Sequence, residues 1–151
     1  MYIPRKTTAI IGGGGKTTLL RALAEELAAE GAATEETSGE KQVQRARVIV
    51  ATSTKMFVPD WCPVLLDATI GEVRAALSTH SIICVGRIHE PSGKLDAPRL
   101  AFSDLEEIAD YVLVEADGAK MLPLKAHAEH EPVIPECAKR TVCVVGIDGV
   151  G

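Results

Sequence analysis

The sequence predicts an α/β fold: a mostly parallel sheet with helices on both faces. Two observations carry that expectation. Hydrophobic residues make up 46% of the chain but aromatic residues only 3%. The core is therefore aliphatic, as suits buried parallel strands written in near-continuous Val and Ile. Short aliphatic runs then alternate with stretches of helical spacing, which calls for crossover connections between parallel strands. At 151 residues the chain fits one domain with a reasonable core.

Thr7 to Gly12 reads as the first strand. From Thr17 to Glu30, residues Leu19, Leu20, Leu23, Ala24, Leu27 and Ala28 recur at helical spacing, and Gly31 is the expected stop. Residues 32–46, AATEETSGEKQVQRA, are small, polar and charged, and read as a surface loop. RVIVAT (47–52) is the second strand. Thr69 opens the second helix, with Glu72 completing a capping box and Val73, Ala76 and Leu77 forming the apolar face. SIICVG (81–86) is the third strand, and residues 87–101, with a PSGK turn and Pro98, read as an excursion. Asp104 to Ala109 is a short helix, YVLVE (111–115) the fourth strand and TVCVVGI (141–147) the fifth. No helix follows the fifth strand before Gly151 to cover it, so the expectation is one domain over 1–151, truncated at its C-terminus relative to a longer protein.

Charge and composition exclude several classes. The formal net charge is −5 with no long basic run, which disfavours nucleic-acid binding. No apolar stretch is long enough to span a bilayer. MYIPRKTTAII does not read as an export signal. Cys62, Cys84, Cys137 and Cys143 form no CxxC pair, so reduced thiols are expected rather than a zinc site. A cytoplasmic protein without a membrane partner is the expectation.

The stretch AIIGGGGKTT (9–18) carries the first chemistry. A strand, a glycine-rich turn and a helix opening at Lys-Thr make an anion site: successive N–H groups point into one concavity, and the helix N-terminus adds partial positive charge. Gly12, Gly13, Gly14 and Gly15 would cradle phosphates, with Thr18 beside them. Lys16 would reach the β/γ-phosphates, and Thr17 would place its hydroxyl on Mg²⁺. The usual phosphate-loop (P-loop) pattern has a further glycine where Ile10 stands. The bland alternative is a glycine-rich turn with a solvated lysine; the order strand, Gly-Lys-Thr, helix favours phosphate. The fold expected is thus a P-loop-type three-layer arrangement.

ATSTKM (51–56) ends the second strand, where open parallel sheets bind ligands. Thr52, Ser53, Thr54 and Lys55 would face the same crevice as Lys16, Thr54 holding Mg²⁺ or a water and Lys55 meeting phosphate. The alternative is an ordinary polar turn. In YVLVEADGAKMLPLKAHAEHEPVIP (111–135), four apolar strand residues run into Glu115 and Asp117, as in the metal-organising strand of phosphate-loop enzymes. Which acid holds Mg²⁺, Asp117 being the metal candidate, and which orients water stays open. Lys120, Lys125, Glu129 and His130 would form a binding loop for a second substrate at the mouth of the crevice, stiffened by Pro123, Pro132 and Pro135. His127 and His130 read as surface residues rather than metal ligands. Arg87 and His89, after the third strand, would also line the site. No Asn/Thr-Lys-x-Asp guanine signature is present.

GGGGKTT, TSTKMFVP and VEADGAK–PLKA–AEHEPVIP, in this order, resemble the YqeC family over about residues 8–149, excluding 32–46. His127 stands where that family's pattern suggests proline. The resemblance implies a P-loop domain using a nucleoside triphosphate, ATP or GTP, with Mg²⁺. It also implies an accessory role in maturing selenium-dependent molybdenum hydroxylases, with a molybdenum cofactor or client hydroxylase as partner. Hydrolysis and phosphoryl transfer both fit, and two rival readings stand beside them: a nucleotide-sensing module that docks on a client without turnover, and a small-molecule kinase.

Overall fold

The computed structural model describes residues 1–30, 33–35, 42–117 and 132–146. Five aliphatic runs form the parallel strands of one open sheet: β1 (Lys6–Gly13), β4 (Val48–Thr52), β7 (Ile82–His89), β9 (Tyr111–Glu115) and β10 (Arg140–Val145). Their order is β10-β1-β9-β4-β7, every neighbouring pair parallel. All five therefore end on one edge of the sheet. Three helices follow strands: α1 (Lys16–Glu30), α2 (Ile70–Leu77) and α3 (Phe102–Ile108).

The two faces separate by the alternation of strand side chains. Val48, Val50, Cys84 and Leu113 pack with Leu20, Leu23, Ala24, Leu27 and Ala28 of α1. Their neighbours Ile49, Ile83, Val85, Val112 and Val114 pack with Val73 and Leu77 of α2 and Leu105 and Ile108 of α3. Among the described residues one helix thus covers one face and two cover the other. α2 begins where the sequence places it: Thr69 Oγ1 accepts from the Glu72 N–H while Glu72 Oε2 accepts from the Thr69 N–H at 2.7 Å.

Several expectations change. Residues 32–46 are not simply a loop, because β2 (Ala33–Glu35) and β3 (Gln42–Gln44) pair antiparallel within them. The third strand does not stop at Gly86. It runs on to His89 and turns into β8 (Lys94–Asp96), which pairs antiparallel with β7 and with β5 (Lys55–Met56). The excursion is therefore a ribbon that extends the sheet. β6 (Val64–Leu66) adds a short parallel partner to β7. The helix expected from Asp104 starts at Phe102, and the last strand starts at Arg140. Among the described residues no helix is long and apolar enough to cross a membrane.

Candidate functional site

The chain leaves β1 through a backbone that glycine alone adopts easily. Gly12, Gly14 and Gly15 have φ of 105°, 68° and 79°. At Gly12 space is also lacking, since a Cβ there would lie 2.1 Å from the Val144 carbonyl oxygen of β10. α1 starts directly after this turn, with the Leu19 N–H bonded to the Gly15 carbonyl at 2.9 Å. Its first-turn N–H groups thus belong to the wall formed by residues 14–18.

Parallel pairing of β1 with β9 sets Glu115 beside Ile10. The Ala116 N–H continues the ladder to the Ile10 carbonyl at 2.9 Å. Asp117 consequently reaches the glycine turn. Its Oδ2 accepts the Gly12 N–H at 2.7 Å, and its Oδ1 lies 2.9 Å from Lys16 Nζ. Lys16 also donates to the Gly12 carbonyl at 2.6 Å. With side-chain exposures of 3% and 0%, Lys16 and Asp117 form a buried pair, which holds only because hydrogen bonds satisfy both ends.

Glu115 stands on the same side of the chain, two residues before Asp117, and is 5% exposed. Burial pushes its carboxyl up to about 7; the Lys16 charge pulls down, Asp117 pushes up, and a Thr17 hydrogen bond and the Lys94 charge pull down. Its Oε2 has no hydrogen-bond partner among the described residues. A buried carboxylate oxygen in that state fits a missing cation or donor.

These groups border a cleft of about 270 Å³. Gly14, Gly15, Lys16, Thr17, Thr18 and Glu115 form one wall; Lys55, Met56, Phe57 and Lys94 form the other. The second wall is the ribbon. Its register pairs Lys55 with Asp96 and Arg87 with Asp96, while Met56 pairs with Leu95 and Leu95 with Ile88. Met56 and Leu95 are buried and Ile88 packs on the same core, so the alternate residues Lys55, Phe57, Arg87, His89, Lys94 and Asp96 share the opposite, polar face. Arg87 lies 3.7 Å from Asp96 and donates to the Ala97 carbonyl. Lys55 Nζ donates to His89 Nε2 at 2.8 Å, and the other ring nitrogen of His89 lies 2.8 Å from Ser92 Oγ.

Of the residues singled out in the sequence, Gly14, Gly15, Lys16, Thr17, Thr18, Lys55 and Glu115 line the cleft. Gly12 and Asp117 lie behind it, held together by their hydrogen bond, and Gly13 is buried at the end of β1. Thr52, Ser53 and Thr54 do not line it as a group with Lys55. Thr52 is fully buried and donates to the Glu115 carbonyl, and Thr54 donates its N–H to Thr52 Oγ1. Arg87 and His89 sit on the ribbon, His89 reaching the cleft only through Lys55. Gly118, Lys120, Lys125, Glu129 and His130 lie outside the described residues. Val133, beyond them, bonds back to the Ala116 carbonyl and to Ser53. Phe57 and Lys94 were not read as site residues, although Phe57 stands in TSTKMFVP and Lys94 ends the PSGK turn, because only strand register brings them together. All four cysteines are free. Among the described residues no three His, Cys, Asp or Glu gather as a metal cluster.

An open α/β sheet, a glycine turn leading into a helix, and a buried lysine–carboxylate pair at the strand ends define the class. The chain belongs to the YqeC protein family, whose model matches residues 8–151. It is 33% identical over 146 residues to the Uncharacterized protein YqeC of Escherichia coli (strain K12), a match covering 93% of this chain and 50% of that protein. The chain thus spans about half the length of the curated relative it matches. No solved structure matches it.

Proposed function

We propose that this domain binds a nucleoside triphosphate, ATP or GTP, with Mg²⁺ at the turn from Gly12 to Thr18. It does so as an accessory protein in maturing selenium-dependent molybdenum hydroxylases. The binding half of this reading rests on one observation: the glycine turn, the start of α1, Lys16, Thr17 and Glu115 share one cleft. The maturation half rests on the family resemblance, and the client is a molybdenum cofactor or its hydroxylase.

The residues present suit the ion. Mg²⁺ takes hard oxygen ligands and retains water, and the Thr17 hydroxyl with the Glu115 and Asp117 carboxylates supplies such oxygens. When bound, Mg²⁺ would neutralise charge on the β- and γ-phosphates. The backbone of residues 14–18 orients the phosphates through N–H groups and the positive end of α1. Lys16 would reach the phosphate oxygens, and Thr17, Glu115 and Asp117 would hold the ion. Glu115 would position water. Chemistry at such a site is positioning and charge stabilisation rather than a covalent intermediate.

Calorimetry with Mg²⁺–ATP and Mg²⁺–GTP tests binding, and a single-turnover assay with labelled nucleotide separates hydrolysis or transfer from sensing alone. At least one nucleotide should bind, more weakly when EDTA removes the ion. The Glu115→Gln and Asp117→Asn variants should lose the Mg²⁺-dependent increment. Full Mg²⁺ dependence in both variants would make the two acids structural and end this site assignment.

A further inference from the structure

The polar face of the ribbon is a second candidate site, facing the glycine turn across the cleft. Three cations stand on that face, and one is neutralised: Arg87 pairs with Asp96. Lys55 and Lys94 have neutral partners instead. Lys55 donates to His89, which receives it on Nε2 and is braced by Ser92 on its other nitrogen. Lys94 lies over the Phe57 ring, its Nζ 4.6 Å from the centroid, an arrangement that holds a cation without cancelling its charge. Among the described residues neither lysine makes an ion pair. Both line the cleft.

Two ammonium groups in one cleft without a direct ion pair among the described residues, with the Glu115 carboxyl near Lys94, run against a chain of net charge −5. The ribbon also fixes where they stand. Met56 and Leu95 anchor it in the core, and the pairing of Lys55 with Asp96 carries the register on to Phe57 and Lys94. Lys16 stands on the other wall, bonded to Asp117 and Gly12. Lysine acts on an anion as a point charge, without the planar fork of arginine. Two such charges match a dianion better than a monoanion.

We infer that Lys55 and Lys94 form a second anion subsite, which takes the phosphate monoester of a co-substrate facing the nucleotide. The anion site stands on the ribbon's own residues; its role as a co-substrate subsite rests on the nucleotide reading above. Phe57, 61% exposed, supplies an apolar shoulder for the body of that molecule.

Inorganic phosphate is the probe, with acetate as the monoanionic comparison. The intact chain carrying ¹³C-labelled lysine is titrated and followed by NMR. The Lys55 and Lys94 signals should shift together with phosphate and far less with acetate. They should shift equally in Lys16→Gln/Asp117→Asn, which removes both charges of the buried pair at once. Lys94→Met should weaken the Lys55 response roughly threefold, the scale of a solvent-exposed charge contact, and Lys94→Arg should restore it. Because Lys94 is partly exposed, neither substitution threatens folding. Absence of a phosphate shift at both lysines overturns the subsite. So does its loss in the double variant, which would put the anion on the glycine turn instead. Failure of the nucleotide to bind leaves the ribbon's phosphate response standing and removes only the co-substrate role.

Discussion

The Lys16 ammonium lies 2.9 Å from Asp117 Oδ1, both side chains all but fully buried, and the second Asp117 oxygen holds the Gly12 N–H. One carboxylate thus ties the helix start to the glycine turn. Removing one partner of a buried pair strands the other charge, at a cost of about 3–5 kcal/mol, whereas removing both avoids that penalty. Lys16→Ala should therefore lower stability by about 3–5 kcal/mol, and Lys16→Gln/Asp117→Asn by clearly less. Urea unfolding of the three proteins decides it. Equal losses in the single and double variants would mean that Asp117 does not need the lysine. Any nucleotide measurement on Lys16→Ala must be read at temperatures where that variant is folded.

Glu115 gives the apoprotein a pH dependence of unusual sign. Its folded carboxyl is raised to about 7 from an ordinary 4.5, chiefly by burial. The folded state therefore keeps a proton that the unfolded chain releases between those values. The stability this carries is fully present below about 4.5, is lost as pH rises to about 7, and stays lost above. Its ceiling is on the order of 3 kcal/mol. Glu115→Gln, which mimics the protonated form, should match wild type near pH 5 and exceed it near pH 8. Chemical unfolding at the two pH values measures the gap; a gap independent of pH would show that Glu115 is charged at both.

The elements with long-range periodic signals were legible in the sequence, and the short or polar ones were not. VIVAT and YVLVE announce buried strands because parallel pairing buries both faces, and Thr69 with Glu72 announces a helix start because the cap is local. β5 and β8 have two and three residues, too few to show alternation, so the ribbon was invisible and Gly86 looked like a strand end. β2 and β3 are equally short and lie in a polar stretch. At the site, Lys16 and Thr17 could be read from their neighbours in sequence. The hydrogen bond from Gly12 to Asp117 could not, since it depends on how β1 and β9 pair. The cleft wall of Phe57 and Lys94 depends on register in the same way.

Gly12 tests whether the glycine turn is required by the sheet as well as by a ligand. With φ at 105° and a Cβ destined to lie 2.1 Å from the Val144 carbonyl, alanine there must push β10 away from β1. Gly12→Ala should destabilise by several kcal/mol, because a left-handed conformation and a backbone clash add. Hydrogen exchange should show the loss of protection centred on β10. Gly15→Ala, whose added carbon meets, among the described residues, only the Val144 side chain at 4.0 Å, should cost roughly the conformational penalty alone, about 1–2 kcal/mol. Equal losses at the two positions would refute the claim that strand packing distinguishes them.

Gly86 links the core to the cleft. A Cβ there would lie 2.6 Å from Leu95 Cγ and 2.8 Å from the Asp96 carbonyl oxygen. Leu95 is fully buried and cannot turn outward without exposing itself, and the Asp96 carbonyl belongs to β8, so the added methyl group must lift the ribbon. Overpacking of this kind costs about 1–3 kcal/mol. Lifting β8 also moves Lys94, and with it the cation on the Phe57 ring. Gly86→Ala should therefore remain folded, lose about 1–3 kcal/mol, and change the NMR signals of Lys94 and Phe57 while leaving those of Val73 on α2 and Leu105 on α3, on the other face of the sheet, in place. Leu95→Ala in the same chain removes the nearer side-chain obstacle but not the backbone one, so it should recover only part of the shift. An alanine at residue 86 that leaves Lys94 and Phe57 unmoved would show that the ribbon is not anchored by this contact, and the cleft's second wall would need another support.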